Sequence, residues 1–409
     1  MRWLYNLGIF GYYLLVRIVS IRNEKARKWI AGRKDLFVKL QETIIPGEPI
    51  LWFHASSLGE FEQGMPVIEA IRSLSPEYKI LLTFFSPSGY ELRKNYPFAD
   101  YVFYLPLDTK KNAIKFIEIV RPKKVFFIKY EFWYNFLTQL KEEGIPTYIF
   151  SALFRPSQVF FKPWGRWYLK AISSYEHIFV QNQESFDILH KYGFNNVSIS
   201  GDTRLDRVGE IADGAPRLEK LETFCGGQKA IIAGSTWKED EDLIIPYINK
   251  SSAGLKFVIA PHEVTPQTLE RIGNALEKNF VFYSSATNEE LSKAEVLVVD
   301  GYGYLNSIYR YGMLAYVGGG FTSGIHSILE PAVFGIPVIF GPDYHKFQEA
   351  YDMLRLGAAS CINDSADLET QIESFRLNPE KLLKASNIAR RYVNKNRGAS
   401  KEIVKYLFH

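Results

Sequence analysis

The sequence predicts an α/β protein of two consecutive domains, each a parallel sheet wound with helices. Three observations carry this. The chain has 409 residues, too many for one ordinary core, and two domains of roughly 150–200 residues are the natural division. Short apolar runs alternate with helix-period segments, the pattern of βαβ units feeding a parallel sheet. The alternation stops between Gly201 and Gly227, where Asp213-Gly214-Ala215-Pro216 and Cys225-Gly226-Gly227 mark an interdomain region, and then restarts.

The N-terminus stands apart. Trp3 to Ile21 is largely apolar, interrupted by Asn6 and Arg17, and Arg22, Lys25, Arg27, Lys28, Arg33 and Lys34 follow. Only Arg2 precedes the run and no small-residue cleavage site closes it, so a removable signal peptide is not expected. Arg17 lies near one end, where it can snorkel. The segment reads as a short membrane anchor or an interfacial helix, with a helix packed on the protein itself as the third option. The basic cluster after it would hold the body on the cytoplasmic side.

In the first domain, Ile50–His54 reads as a strand and Glu60–Leu74 as a helix, then Tyr78–Phe85 as a strand and Pro87–Asn95 as a helix. Apolar runs at Tyr101–Leu105, Lys124–Ile128, Thr147–Phe150 and His177–Gln181 complete the sheet. In the second, the strands are Ala230–Gly234, Lys256–Pro261, Val296–Val299, Met313–Gly318 and Pro337–Gly341. Ile388 to His409 reads as a charged helix crossing back over the first domain. The expected divisions are 1–34, 35–210, 211–387 and 388–409. Two such domains place a ligand cleft between the carboxyl ends of their sheets.

Composition narrows the function. A net charge of +4 and no helix-turn-helix or RNA-motif pattern argue against nucleic acid as partner. Cys225 and Cys361 form neither a metal spacing nor a disulfide framework, which fits a reducing compartment. Aromatic residues make up 15%, an excess that suits buried packing together with an interfacial surface.

Four strings carry chemistry. His54-Ala55-Ser56-Ser57-Leu58-Gly59-Glu60 runs from a strand into a helix. Gly59 permits a tight turn, the helix start offers N–H groups to an anion, and Glu60 in the first turn can take a proton from an acceptor hydroxyl or simply complement the helix dipole. Gly318-Gly319-Gly320-Phe321-Thr322-Ser323-Gly324-Ile325-His326-Ser327-Ile328-Leu329-Glu330-Pro331 is a strand, a glycine-rich loop and a helix. Its backbone can cradle a phosphate, and Glu330 can bind ribose hydroxyls. In Ala233-Gly234-Ser235-Thr236-Trp237, Ser235 and Thr236 can cap a helix or touch phosphate. The acids that follow, Asp240-Glu241-Asp242, read as dipole complements rather than metal ligands. His262, after Pro261 at a strand end, can meet base or phosphate, although a lone histidine is more often structural.

Taken in order, these strings resemble the 3-deoxy-D-manno-octulosonic acid (Kdo) transferases of lipopolysaccharide synthesis. The likeness also takes in Thr83 to Gly89, Tyr104-Leu105-Pro106-Leu107-Asp108, Glu131-Phe132-Trp133-Tyr134-Asn135, Gln181-Asn182-Gln183-Glu184-Ser185, Gly201-Asp202-Thr203-Arg204-Leu205-Asp206 and Gly341-Pro342. The resemblance implies a GT-B glycosyltransferase of two Rossmann-like domains facing a cleft. It implies CMP-Kdo as donor, a lipid A precursor as acceptor, inversion at the sugar carbon, and no metal or cofactor. It places the enzyme on the cytoplasmic face of the bacterial inner membrane. Glu60 falls on the general base, with Glu131 and Arg204 as further catalytic candidates. The implied CMP-Kdo contacts are Ser57, Gly59, Ser235, Thr236, Pro261, His262, Gly303, Tyr304, Leu305, Gly320, Gly324, His326, Ser327, Ile328, Leu329 and Glu330.

The chain departs from the family pattern in three places. Lys129 stands where an acidic residue is common, Arg204 where lysine is usual, and His262-Glu263 where many members have Arg-His. Arg204 keeps the charge but not lysine's geometry. Phe160-Phe161-Lys162-Pro163-Trp164-Gly165-Arg166-Trp167-Tyr168 mixes aromatic and basic residues as a membrane interface would, or begins a core helix. The rival readings are a nucleotide-diphosphate-sugar transferase, a nucleotide-sugar epimerase on the same fold, and a membrane-tethered binding protein with a dead site.

Overall fold

The computed structural model describes residues 2–252 and 254–408. The chain divides into two compact units, Met1–Arg207 with Arg397–His409, and Val208–Asn396. Each is built on one seven-stranded parallel sheet.

In the first unit the strands are β1 (Ile50–Ala55), β2 (Lys79–Phe84), β3 (Tyr101–Tyr104), β4 (Lys124–Ile128), β5 (Thr147–Ala152), β6 (His177–Val180) and β7 (Val197–Ile199). Their order is β3-β2-β1-β4-β5-β6-β7. The order reverses between β1 and β4, which pair in parallel with His54 opposite Phe127. The central strands are buried along nearly their whole length and largely apolar because both faces are covered. Trp52 joins one buried cluster with Phe116, Phe127 and Phe136, while its neighbours Leu51 and Phe53 join the opposite one with Phe61, Ile68 and Phe126.

The second unit holds β8 (Ala230–Thr236), β9 (Phe257–Pro261), β10 (Phe280–Phe282), β11 (Val296–Val298), β12 (Gly312–Val317), β13 (Val338–Phe340) and β14 (Ala359–Cys361). The order is β10-β11-β9-β8-β12-β13-β14, so the reversal falls between β8 and β12. In open α/β sheets ligands bind outside the carboxyl ends of the strands at such a reversal.

Two expectations need correction, and a third, open between interface and core, is decided. Strands β7, β10 and β14 were not legible, and all three are sheet edges of three residues with partly exposed side chains. The terminal segment is two helices, Pro379–Asn396 and Ala399–Phe408, parted at Gly398, whose φ of 114° a helix cannot hold. The second helix returns to the first unit, where Ile403, Val404 and Leu407 enter its core. Asp206 caps that helix, accepting from Ser400 N and Ser400 Oγ, both at 2.7 Å. The Phe160–Tyr168 stretch is mostly core: Phe160 and Phe161 are buried and Trp167 packs on Tyr134, while Trp164 stays exposed.

The N-terminal helix, Arg2–Val19, has two faces. Tyr5 donates to Asp108 at 2.6 Å and Asn6 accepts from Asn135 at 3.0 Å, which explains the polar interruption at Asn6. Asp108 is fully buried and also receives the first N–H groups of the helix Tyr134–Glu142. The other face leaves Trp3, Leu7, Phe10, Leu15 and Ile18 exposed at 57–69%. No helix among the described residues is long and apolar enough to cross a membrane.

Candidate active site

In the first unit, the loops after β1 and β4 meet at the sheet reversal. Glu131 follows β4 and is 1% exposed. Its Oε1 accepts from Ser56 N at 2.6 Å, and its Oε2 accepts from Ser56 Oγ at 2.9 Å and from Trp133 Nε1. His54 Nε2 approaches Oε2 at 3.3 Å without hydrogen-bond alignment. On its other side the imidazole is held through Nδ1 by Thr83, at 2.9 Å to Oγ1 and 3.0 Å to the carbonyl. Thr83 also accepts from Trp52 Nε1 at 2.7 Å. A run of buried polar groups thus crosses β2, β1 and the loop after β4, hydrogen-bonded from Trp52 through Thr83 to His54, whose Nε2 faces Glu131.

Glu60 stands in the first turn of the helix Leu58–Leu74. Ser57 Oγ donates to Glu60 Oε2 at 2.9 Å, so this serine orients the carboxylate rather than reaching out to a donor. Burial, and then the charge of Glu131, push the Glu60 carboxyl above its ordinary value, opposed by the Ser57 hydroxyl, His54 and Lys129. A carboxyl raised in this way is a better proton acceptor and suits general-base work. Lys129 occupies the left-handed region, with φ of 71°. A non-glycine residue held there is strained, and strain of this kind gathers at functional sites.

Glu131 was expected as a catalytic group. Its burial and its filled oxygens make it instead a positioning group that pins Ser56 and presses charge on Glu60. Arg204 lies on the same side, ion-paired to Asp202 through NH2 at 2.6 Å and Nε at 2.8 Å. Its charge and that of Glu60 both act on Tyr130, whose hydroxyl burial pushes up.

The second unit builds its site from the ends of β8, β9 and β12. Ser235 bulges out of β8, with φ of 54° and a register shift between Gly234 and Thr236. Gly318 and Gly320 allow close approach. A Cβ on Gly318 would lie 2.3 Å from the Ser235 carbonyl oxygen, and one on Gly320 2.6 Å from Gly341 Cα. Asp240 knits the two loops together. It is fully buried and accepts from Trp237 N at 2.9 Å, Gly319 N at 2.9 Å and Tyr316 OH at 2.6 Å. Glu241 instead binds Thr236 at 3.0 Å and Arg271, while Asp242 pairs with Lys238 at 2.6 Å. The three acids therefore point to three different partners. Asp240 and Glu241 do more than complement a dipole.

Pro261 ends β9, and His262 just after it stacks on His326 with centroids 4.4 Å apart. Gly324 (φ 115°), His326 and Ser327 lie in the loop after β12. Ile328 and Leu329 have buried side chains, so only their backbone can meet a ligand. Glu330 stands in the first turn of the short helix Leu329–Val333, and its charge further raises the buried Tyr309 hydroxyl. Gly303 and Tyr304 precede the helix Leu305–Ile308, where Tyr304 packs on Tyr283 at 4.8 Å. The partners Thr83, Trp133 and Trp237 were not singled out as site residues. All three lie within or at the end of the quoted strings, but only the folded structure reveals what they hold.

Residues 28–207 match the family model described as 3-deoxy-D-manno-octulosonic-acid transferase (kdotransferase). The chain is 28% identical over 329 residues to the 3-deoxy-D-manno-octulosonic acid transferase of Aquifex aeolicus, covering 79% of this chain and 84% of that protein. It is 26% identical over 406 residues to that of Haemophilus influenzae, covering 96% and 93%. Among solved structures it is similar to a UDP-GlcNAc 2-epimerase from Neisseria meningitidis, with a TM-score of 0.63, 17% identity, and cover of 88% of this chain and 99% of the other. It is also similar to MurG of Acinetobacter baumannii, with a TM-score of 0.56, 12% identity, and cover of 88% and 98%. At such identities the structural likeness speaks for the GT-B fold alone.

Proposed function

Starting from a chain that is homologous to the Kdo transferases, glycosyltransferases of lipopolysaccharide biosynthesis, we propose that it moves Kdo from CMP-Kdo to a lipid A precursor with Glu60 as general base. The observation that carries this is the half-buried Glu60 at the sheet reversal, its carboxyl raised by burial and by Glu131 and oriented by Ser57. In the second unit the phosphate would lie on the Gly320–Ser327 loop, because Gly318 N and Gly319 N are already taken by the Gly234 carbonyl and Asp240. Glu60 takes the proton of an acceptor sugar hydroxyl. The hydroxyl oxygen bonds to the anomeric carbon as the bond to the CMP phosphate oxygen breaks, with inversion. The phosphate gains charge as CMP leaves, where fixed N–H dipoles stabilise it most.

The test is transfer from freshly made CMP-Kdo to a tetraacylated lipid A precursor, with CMP and UDP as competing inhibitors. Product formation inhibited by CMP and not by UDP supports the reading. No product from folded protein overturns it, and inhibition by UDP alone points to a nucleotide-diphosphate sugar.

The proposal extends to location. An acceptor held in a bilayer calls for an enzyme at its surface, on the cytoplasmic face of the inner membrane. Trp3, Leu7, Phe10 and Ile18 fall on one exposed face of the N-terminal helix, and Arg22, Lys25, Arg27 and Lys28 follow it. An apolar face with adjacent basic residues suits a helix lying in the interface, each cation adding about 1 kcal/mol on an anionic leaflet. Trp3→Ser, Phe10→Ser and Ile18→Ser together should abolish sedimentation with anionic vesicles. Unchanged sedimentation would remove this helix as the contact.

A further inference from the structure

Trp237 follows β8 and His326 lies in the loop after β12, yet the two rings form one plate. Their planes differ by 12°, and the indole Nε1 donates to His326 Nε2 at 3.1 Å. His262 covers the joint, with its centroid 4.5 Å from Trp237 and 4.4 Å from His326. Asp240 locks this arrangement through Trp237 N and Gly319 N, and His326 N donates to the Gly318 carbonyl at 3.0 Å.

The bond between the rings has only one possible polarity. An indole N–H donates and never accepts, so His326 Nε2 must present its lone pair. A neutral imidazole that accepts at Nε2 carries its proton on Nδ1. No hydrogen bond among the described residues occupies that Nδ1. Adding a second proton would set two N–H groups face to face beside another histidine. Burial and then His262 push the His326 imidazole below its ordinary value, with Asp240 opposing.

We propose that Trp237 is a positioning residue for the sugar donor: by fixing His326 in the Nδ1–H form it makes that imidazole a neutral hydrogen-bond donor for a phosphate oxygen held at the Gly320–Ser327 loop. This rests on the donor site proposed above and adds the residue that orients it. A neutral N–H recognises a phosphate oxygen by direction rather than by charge. It can release the nucleotide after reaction more readily than a fixed cation could.

The experiment has two arms on the full chain. In the first, the protein carries ¹⁵N-labelled histidine, and long-range nitrogen–proton correlation reads each tautomer, with His326 assigned by its loss in His326→Gln. The wild type should show His326 as Nδ1–H, and Trp237→Phe, which keeps a stacked ring but no donor, should shift it toward Nε2–H. An Nε2–H signal in the wild type, or an unchanged tautomer in the variant, overturns the proposal. The wild-type spectrum alone decides should Trp237→Phe fail to fold. In the second arm, Trp237→Phe should raise KM for CMP-Kdo and weaken CMP binding by calorimetry about 3–10-fold, the range of one neutral hydrogen bond, with the loss in KM rather than kcat. A loss confined to kcat overturns it. The tautomer arm uses no substrate, so failure of the Kdo-transfer reading stays distinguishable from failure of this one.

Discussion

The two sheet reversals use the same geometry and different side-chain materials. After β1 and β4, carboxylates are gathered out of water: Glu131 at 1% exposure, and Glu60 with its carboxyl raised. After β8 and β12 the central groups are close-packed glycine backbone and a stack of two imidazoles and an indole. The buried acid there, Asp240, is fully engaged by Trp237 N, Gly319 N and Tyr316 OH. Each reversal also holds a non-glycine residue in the left-handed region, Lys129 in one and Ser235 in the other. The Rossmann frame therefore fixes where a site sits, and the local choice of groups decides whether it handles protons or anions. In this protein the proposed base belongs to the first reversal and the proposed phosphate cradle to the second.

The largest expected effect breaks the first site. Glu60→Gln should lower kcat/KM for Kdo transfer about 10²–10⁴-fold, the usual cost of losing a general base, while CMP binding by calorimetry stays within error. Near-full turnover would remove Glu60 from the mechanism. Next comes Gly320→Ala. Its Cβ would meet backbone at Gly341 Cα, 2.6 Å away, which cannot rotate aside. A stability loss of about 1–3 kcal/mol in urea titration is expected, together with loss of CMP binding. Unimpaired CMP binding would move the cradle elsewhere.

A third measurement sharpens the contrast. Because Glu60 works deprotonated, kcat/KM should fall on the acid side at a pH above the ordinary carboxylate range. Glu131→Gln removes the like charge and keeps an acceptor for Ser56 N, so that acid limb should move to lower pH. An unmoved limb would mean that the two carboxyl groups are not coupled. The smallest effect is on stability. A carboxyl raised in the folded state binds its proton more tightly there than in the unfolded chain. Its contribution is therefore favourable at low pH and is lost as pH rises through the raised value. Glu60→Gln removes that titration and should raise the Tm slightly at pH 8, with the gain fading as pH falls to the ordinary carboxylate range. A gain independent of pH would assign it to packing.

How much of this was legible follows from burial. Strands β1, β4, β8 and β9 announced themselves as apolar runs because both faces are covered. The edges β7, β10 and β14 have three residues each and half-exposed side chains, so no such run exists to be read. Glu60 was legible from its strand–turn–helix setting. The role of Glu131 was not, because its partners Ser56 and His54 lie about 75 positions away and meet it only through the β1–β4 pairing. Asp240 looked like an ordinary first-turn acid, and only the β8–β12 pairing shows it bridging two loops. Asn6 looked like a flaw in an apolar run until Asn135 supplied its partner.

The returning C-terminal helix has a consequence for the order of synthesis. Residues Val208–Asn396 form a unit contiguous in sequence, whereas the first unit also needs Arg397–His409. Ile403, Val404 and Leu407 fill its core, and Ser400 satisfies Asp206. On the ribosome, domains fold as units while the chain emerges. The part made first is here the part finished last. Its sheet must wait, one wall open, until the second unit has been made and the chain comes back to close it.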